Sequence, residues 1–427
     1  MLFWVIDRAL RGKVRKKGVS TIVIKKIPKG CAILCFIVCV CLLGAGVFSA
    51  ARLPDRLYVN VPQDISLSFP FPMVAQSDPL LSTDGLQPEG GYHATVKLFG
   101  VIPIGSTKVK VADEDQVIVG GSPFGIKILA DGVLVVGFHD ALTADGAANP
   151  AKAAGLKEGD LLLSVGGEKL STNAELVALV ERSGGQPLTV QVQRGDKHLT
   201  LTLTPVAATD GHYRVGMWVR DSTAGLGTLT FYHPASGTYG GLGHAVCDSD
   251  TGKVMSLAKG EIVAAQVQGL TKASVGNAGE LRGTLVDNQK LGSIALNCRH
   301  GVYGQLYAPP KGETMRVARK QAVKTGDALV YACVDGQVQA YSCTIQRVNL
   351  KESADHHMVV RITDPALLQK TGGIVQGMSG SPIVQNGMLV GAITHVFLNQ
   401  PEKGYGIFAE TMLESARIAA ASLQQAS

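Results

Sequence analysis

A serine in a glycine-rich turn is the residue of this chain best placed for chemistry. The run Gly377-Met-Ser-Gly-Ser-Pro382 lies between apolar residues of β type, which predicts a tight turn between two strands. Such a turn exposes the Ser379 hydroxyl and leaves the N–H groups of Gly377 and Ser379 free. An acyl-transfer nucleophile needs both features, because the N–H groups bind the oxyanion that forms when Oγ attacks a carbonyl. The alternative is a β-turn with an incidental serine.

A nucleophilic serine needs a base from another part of the fold, and the chain has 10 histidines. His244 follows the glycine-rich run Tyr239-Gly-Gly-Leu-Gly243 and leads into an apolar strand, so its ring can lie at the edge of a cleft. We therefore predict that His244 is the base. His395 closes the strand after Ser379 and is the main alternative, as a wall residue of the same cleft or a core histidine. The less suitable positions are His233, His356 and His357.

The third member of such a site is a carboxylate that orients the imidazole. Asp364 ends a strand-like run and precedes Pro365, so a buried carboxylate there could fix the tautomer of His244. Asp248 and Asp250 are nearer to His244 in sequence, but positions on an adjacent strand usually point away or to solvent. We therefore predict Asp364, although it precedes Ser379 by an unusually short stretch of sequence.

The composition limits the function classes. The chain has 427 residues, enough for two or three domains, and its 51 glycines and 5% aromatic residues favour short strands and many turns. The net charge is +6, but residues 1–30 alone carry nine Lys or Arg against one Asp, which is +8. The other 397 residues sum to −2, so the basic charge belongs to the N-terminal tail and does not indicate binding to nucleic acid.

Residues 31–50 form an uncharged apolar run that is long enough to span a bilayer as a helix. Three lysines precede it, at positions 25, 26 and 29, so the positive-inside rule puts the N-terminus in the cytosol and the rest outside. We expect an anchor, with a signal peptide cleaved near Ala50 or Ala51 as the alternative. Four cysteines lie in this run, and the other four (Cys247, Cys298, Cys333, Cys343) have no metal-site spacing. No metal and no cofactor is predicted.

Three segments follow the apolar run. Residues 51–104 contain strand-like pieces and a loose stretch from Phe69 to Gly91, rich in Pro and Gly, that we predict to be an accessible linker. Residues 105–207 form a second segment and residues 208–427 a third, which has many short strands and the size of a double β-barrel.

The segment 105–207 resembles the PDZ domains of bacteria. The resemblance rests on the run Pro150-Ala-Lys-Ala-Ala-Gly-Leu-Lys-Glu-Gly-Asp-Leu-Leu162, followed by a predicted helix near 173–181 that Ser171 or Thr172 caps. In that family a Gly-apolar-x-apolar loop binds a peptide carboxylate and adds the peptide to a sheet edge. The resemblance assigns this role to Gly125, Ile126, Lys127 and Ile128. A β-rich spacer without a ligand is the alternative.

The turn at Ser379 resembles that of chymotrypsin-like serine peptidases, which have Gly-Asp-Ser-Gly-Gly-Pro. Met378 replaces the Asp that pairs with a new N-terminal amine on zymogen activation in that family, so activation here must work differently. The order His244, Asp364, Ser379 also matches. The resemblance implies a mainly β fold: an N-terminal transmembrane helix, an α+β PDZ domain and a chymotrypsin-like double β-barrel.

The chain as a whole resembles the stage IV sporulation protein B peptidases of endospore-forming bacteria. The matching motifs are Gly243-His244, Gly301-Val-Tyr-Gly304, Thr363-Asp-Pro365, Gly372 to Pro382 and Thr394-His-Val396. The resemblance implies a serine endopeptidase secreted into the space between the two forespore membranes. There the family cleaves itself and a membrane-held regulator of an intramembrane protease, so that a late mother-cell sigma factor is activated. The alternative is a non-catalytic PDZ adaptor that docks a membrane protease.

Overall fold

The computed structural model describes residues 11–13, 22–24, 29–50, 53, 56–59, 65–68, 72–77, 92–111, 115–351 and 356–426. The chain divides into two compact units. The first comprises residues 1–56 and 62–110, and the second comprises residues 57–61 and 111–427. Most of the basic tail lies outside the described residues.

The first unit contains a long apolar helix and a small antiparallel sheet. Helix α1 (Lys29–Ala50) includes a stretch from Ile33 to Ala50 with a mean hydropathy of 2.7, so among the described helices it is long and apolar enough to cross a membrane. The sheet has the order β4-β5-β6-β7. The strands of this N-terminal part are β1 (Arg11–Lys13), β2 (Ile22–Ile24), β3 (Arg56–Val59), β4 (Ile65–Ser68), β5 (Pro72–Ser77), β6 (Tyr92–Leu98) and β7 (Ile102–Val111).

The predicted linker from Phe69 to Gly91 is partly wrong. Strand β5 lies within it and pairs with β4 on one side and β6 on the other. Pro72 stands at the first position of β5, where a missing N–H is tolerated, so the proline content misled the prediction. The other residues of the predicted linker lie outside the described part of the chain.

The second unit is built almost entirely from antiparallel strands. They are β8 (Gln116–Val119), β9 (Pro123–Phe138), β10 (Ala141–Thr143), β11 (Gly146–Ala148), β12 (Leu161–Val165), β13 (Glu168–Lys169), β14 (Leu188–Arg194), β15 (Lys197–Leu203), β16 (Val206–Ala207), β17 (Tyr213–Arg214), β18 (Met217–His233), β19 (Thr238–Gly241), β20 (Lys259–Thr271), β21 (Glu280–Cys298), β22 (Gly301–Leu306), β23 (Thr314–Val317), β24 (Gly326–Cys333), β25 (Val338–Val348), β26 (Met358–Ile362), β27 (Pro382–Gln385), β28 (Met388–Phe397) and β29 (Gln400–Phe408). The helices are α2 (Pro150–Ala153), α3 (Asn173–Arg182), α4 (Pro365–Thr371) and α5 (Ala409–Ala426), with a 3-10 turn at Lys320–Ala322.

Two closed six-stranded barrels form the larger part of this unit. The first closes in the order β9-β18-β19-β22-β21-β20 and returns to β9. The second closes in the order β24-β25-β26-β29-β28-β27 and returns to β24. Each barrel has its own apolar core, around Phe124 and Tyr239 in the first and around Val330 and Ile383 in the second. The predicted mainly β fold with a double barrel is confirmed.

A PDZ-like unit is inserted into the first barrel. The residues between Leu129 of β9 and Ser222 of β18 have a separate core that includes Leu162, Leu176 and Val190. Helix α3 begins after Thr172, which caps it in a reciprocal arrangement with Glu175, as the sequence predicted.

The structure moves the predicted border between the second and third segments. Pro123 to Leu129 pair with β18 and β20 inside the first barrel, although the sequence assigned them to the segment 105–207. The first strand of the barrel therefore precedes the inserted unit, and β9 and β18 continue from the barrel into that unit. Local sequence patterns do not show such an insertion, because it depends on pairing between strands about ninety residues apart.

Candidate active site

The turn that carries Ser379 is fixed by hydrogen bonds to its carbonyl groups. It connects α4 to β27, and the donors come from the first barrel and from the turn itself. Five successive carbonyl oxygens each accept a bond: Gln376 from Leu281 N (2.8 Å), Gly377 from Thr228 Oγ1 (2.8 Å), Met378 from Ser381 N (2.9 Å), Ser379 from Thr228 N (2.9 Å) and Gly380 from Thr230 Oγ1 (2.7 Å).

The N–H groups of this turn are used differently. Met378 N donates to Val375 O and Gly380 N donates to Ile393 O. Among the hydrogen bonds of the described residues, neither Gly377 N–H nor Ser379 N–H is a donor. In a trans peptide the N–H points opposite to the carbonyl, so fixing the carbonyls of Gln376 and Met378 also fixes the direction of these two N–H groups. They are the groups that the sequence assigned to an oxyanion hole.

The Ser379 side chain is half-buried, and its Oγ donates to the carbonyl oxygen of Thr394 at 2.6 Å. Thr394 lies on β28, next to His395. The hydroxyl therefore rests on a backbone acceptor beside the candidate histidines, and not on an imidazole nitrogen.

The loop that carries His244 lies directly against the Ser379 turn. A Cβ at Gly380 would come within 2.5 Å of Leu242 N and 2.1 Å of Thr228 O, so the two loops approach at a distance that only glycine permits. Gly243 has a φ of +73°, and a Cβ there would lie 2.9 Å from the Thr394 side chain. The His244 loop therefore lies against Thr394, the residue whose carbonyl oxygen accepts the hydrogen bond of the Ser379 hydroxyl.

The imidazole of His244 is oriented by a backbone carbonyl. Its Nδ1 lies 2.8 Å from Ala245 O, and since a carbonyl only accepts, Nδ1 carries the proton and Nε2 is left as the basic nitrogen. Burial lowers the pKa of His244 below its ordinary value, and the bond to Ala245 opposes this shift. The side chain is therefore neutral at neutral pH, as a general base must be.

His395, the alternative histidine, lies beside His244. The ring centroids are 4.6 Å apart and the planes are tilted by 34°. The ring of His356 follows at 6.2 Å from that of His395 and stacks on Tyr405. Burial of the ring and the neighbouring His244 and His356 hold the pKa of His395 below its usual range. This placement fits a wall of the cleft, one of the two roles considered from the sequence.

Asp364 is not brought to His244. One of its carboxylate oxygens accepts from Ala366 N (2.9 Å) and Leu367 N (3.0 Å), and the other accepts from Ser342 N (3.3 Å). These bonds make Asp364 the N-cap of α4. Among the hydrogen bonds of the described residues none joins it to an imidazole, so its orienting role stays a prediction without a contact to support it.

The other two aspartates weighed from the sequence are also engaged elsewhere. Asp248 is buried, pairs with Arg220 and accepts from Thr251, and these contacts lower its pKa although burial alone would raise it. Asp250 pairs with Arg220 as well, at 2.7 Å. Where the structure is described, no three His, Cys, Asp or Glu side chains are grouped so as to hold a metal ion.

The expected carboxylate-binding role of Gly125, Ile126, Lys127 and Ile128 is wrong for this fold. These residues lie in β9, which pairs with β18 along one edge and with β20 along the other. Neither edge is open for an added peptide strand. The reason is the insertion described above, which makes this run a barrel strand.

A different strand segment has an open edge. Residues Met217 to Arg220 pair with β9 along one edge, and no described strand pairs with the other. Helix α3 is hydrogen-bonded to residues on both sides of this segment. Asn173 N donates to Asp221, after the segment, at 2.8 Å, and Tyr213 N, before the segment, donates to Glu181 at 3.2 Å.

Sequence reasoning missed the residues that hold the Ser379 turn. Thr228 and Thr230 lie on β18 and Leu281 on β21, about 150 and 100 residues before Ser379 in the chain. No local motif marks them, because their role depends on the closure of the first barrel. The Thr-Leu-Thr alternation of β18 showed only that both threonines face the same side.

Two family models match the chain. Residues 211–413 match the SpoIVB peptidase S55 model and residues 143–204 match the PDZ domain model. The zinc metalloprotease RasP of Geobacillus kaustophilus is 38% identical over 76 residues, which are 18% of this chain and 17% of that protein. The putative zinc metalloprotease CPE1693 of Clostridium perfringens is 30% identical over 69 residues, or 16% of this chain and 21% of that protein. The chain thus spans about a fifth of the length of the curated relatives it matches.

The similarity to solved structures is weaker. The Rv3671c protease from M. tuberculosis, in its active form, is 13% identical with a TM-score of 0.27, over 46% of this chain and 74% of that one. The PDZ domain of the SdrC-like protein from Listeria monocytogenes is 22% identical with a TM-score of 0.18, over 21% of this chain and 90% of that one. On the family models, residues 211–413 are a peptidase domain of the SpoIVB S55 family of serine peptidases, and residues 143–204 are a PDZ domain.

Proposed function

We propose that the chain is a serine endopeptidase in which Ser379 is the nucleophile and His244 the general base. The observation that carries the proposal is the Ser379 turn, where the carbonyls of five successive residues are held and the N–H groups of Gly377 and Ser379 have no acceptor in the described part of the chain. Donors fixed in advance at the place where negative charge develops are the largest single contribution to catalysis of this kind.

The residues act in the following order. His244 Nε2 takes the proton of Ser379 Oγ as Oγ leaves its hydrogen bond to Thr394 O and bonds to the substrate carbonyl carbon. The carbonyl oxygen becomes an oxyanion between Gly377 N–H and Ser379 N–H. The imidazolium then gives the proton to the leaving amine, and water attacks the acyl-enzyme by the same route. Ala245 O accepts from Nδ1 throughout and holds the tautomer.

The PDZ domain binds peptides by family, and we propose the open edge of Met217 to Arg220 as the place. An added strand there would lie beside α3, which is the arrangement of β-strand addition. The second candidate function is a non-catalytic PDZ adaptor. The open edge is the one observation on the described residues that supports it. It gives no reason for the two N–H groups left free at Ser379, so the peptidase is the better-supported function.

The proposed biological role is based on the family name and on the apolar helix α1. We propose that α1 anchors the chain in a membrane, with the later domains on the extracytoplasmic side, in the space between the forespore membranes. The substrates are the chain's own N-terminal region and a membrane-held regulator of an intramembrane protease, and their cleavage leads to activation of a late mother-cell sigma factor. A tethered peptidase meets its own or a neighbour's N-terminal segment at high effective concentration.

The test is N-terminal sequencing and intact-mass measurement of the released chain, made for the wild type and Ser379→Ala. We expect wild-type cuts between Ala51 and about Gly91, absent from Ser379→Ala. A new N-terminus at Ala51 or Arg52 in both proteins would show that a host signal peptidase makes the release. Loss of release together with loss of casein hydrolysis separates the peptidase from the adaptor.

A further inference from the structure

One threonine outside the nucleophile and base makes two separate hydrogen bonds to the Ser379 turn. Thr228 N donates to Ser379 O at 2.9 Å, and Thr228 Oγ1 donates to Gly377 O at 2.8 Å. The residue belongs to β18 of the first barrel, whereas the turn belongs to the second. Thr228 is buried, with 3% of the residue exposed, so its hydroxyl is shielded from water.

The position of these bonds matters more than their number. Gly377 and Ser379 are the two residues whose N–H groups the proposed mechanism uses, and Thr228 holds the carbonyl of each. The Gly377 carbonyl belongs to the peptide unit between the two donors, so its direction sets how Gly377 and Met378 are turned relative to each other. Gly377 has a φ of +95°, a region in which glycine rotates at little cost. The other end of this peptide unit, Met378 N–H, is held only by Val375 O within the same turn, so the bond from Thr228 is its one anchor from another strand among the described residues.

We propose that Thr228 is a positioning residue for the oxyanion hole, acting through its hydroxyl on the Gly377 carbonyl. The inference rests on the proposed function, because it requires that Gly377 N–H and Ser379 N–H bind the oxyanion. Thr228 touches neither the substrate nor the reacting atoms. Its loss leaves Ser379 and His244 in place and loosens the peptide unit between the two donors, so that Gly377 N–H and Ser379 N–H no longer converge on one point, and this lowers turnover more than substrate binding.

The test compares Thr228→Val, which keeps the shape and the backbone N–H but removes the hydroxyl, with Thr228→Ser, which keeps the hydroxyl. The matched control is Thr238→Val on the neighbouring strand β19, a buried threonine whose hydroxyl contacts Ser236 and not the turn. Each full-length protein is assayed with fluorescein-labelled casein for kcat and KM, and folding is checked by circular dichroism. Thr228→Ala replaces Thr228→Val if the latter does not fold.

We expect Thr228→Val to lower kcat by roughly 10- to 100-fold with KM within about threefold, less than the ~10²- to 10³-fold loss on removing an oxyanion donor outright. Thr228→Ser and Thr238→Val should stay near the wild type. An unchanged kcat in Thr228→Val, or an equal loss in Thr228→Ser, would overturn the positioning role while Ser379→Ala still shows no hydrolysis. Hydrolysis retained in Ser379→Ala would overturn the proposed site, and the role of Thr228 with it.

Discussion

The turns at Ser379 and Asp364 look alike in sequence but use their polar side chains in opposite ways. Each has a short polar residue close to a strand of the second barrel: Asp364 follows β26 and Ser379 precedes β27. At Ser379 other residues hold the carbonyls of the turn, so the hydroxyl is not needed by its own turn, and two N–H groups have no acceptor among the described residues. At Asp364 the carboxylate itself satisfies the backbone, as the cap of α4 and an acceptor for Ser342 N. A side chain is available for chemistry where its own backbone does not need it.

Of all the substitutions considered, those at Ser379 should lower catalytic activity most. Ser379→Ala removes the nucleophile and should lower kcat by about 10⁴-fold or more, as loss of a triad serine does. The matched control is Ser381→Ala in the same turn, which keeps the N–H that holds Met378 O and removes only a buried hydroxyl. Casein hydrolysis measures both. Equal activity in the two variants would show that Ser379 matters no more than Ser381 and would contradict its assignment as the nucleophile.

His244→Ala should cost nearly as much as Ser379→Ala, because Oγ then has no base. The double variant should be little worse than either single variant, since residues that act as one unit are not additive. His395→Ala is the informative partner, because His395 is the competing histidine and lies 4.6 Å from His244 between ring centroids. We expect a smaller loss from it. If His395→Ala abolished hydrolysis and His244→Ala did not, the base would be His395.

The dependence of activity on pH tests the lowered pKa of His244. Burial lowers the pKa of His244 in the folded protein, and only the neutral imidazole accepts the serine proton. Activity should therefore persist as the pH falls below about 6.5, the ordinary pKa of histidine, and decline at a lower pH. The acidic limb of kcat/KM for casein measures this. A limb at or above 6.5, with the protein still folded, would contradict a buried neutral base.

The smallest effect is expected at Asp364. Asparagine caps helices about as well as aspartate, so Asp364→Asn should keep both the melting temperature and most of the activity. Asp364→Ala removes the cap and should cost about 1 kcal/mol of stability. Thermal unfolding and kcat, measured on both variants, separate the two roles. A fall of ~10⁴-fold in Asp364→Asn with an unchanged melting temperature would show that the carboxylate orients the imidazole in the working enzyme.

The sequence predicted the parts of this fold that are local. The Ser379 turn and the Thr172 cap of α3 each depend on residues only a few positions apart. The strands of the second barrel lie within residues 326–408, interrupted only by α4 and its connections, and agree with the many short strands predicted for residues 208–427.

What the sequence did not reveal depends on distant pairing. The first barrel joins Pro123–Leu129 to strands that follow the inserted PDZ unit, so the run from Gly125 to Ile128 looked like a peptide-binding loop and is a barrel strand. The contacts of Thr228 and Leu281 with the Ser379 turn arise in the same way. The helix cap at Asp364 was not foreseen for a different reason: a proline at the next position marks a helix start as well as a strand end.

The most direct test of the account is covalent labelling with diisopropyl fluorophosphate. Ser379 Oγ should bond to phosphorus with loss of fluoride, while His244 takes the hydroxyl proton. Peptide mass mapping should find one modified serine, Ser379, labelled quickly in the wild type and slowly in His244→Ala. The account is contradicted if the label lies on another serine, or if hydrolysis of casein continues in protein whose Ser379 is fully labelled.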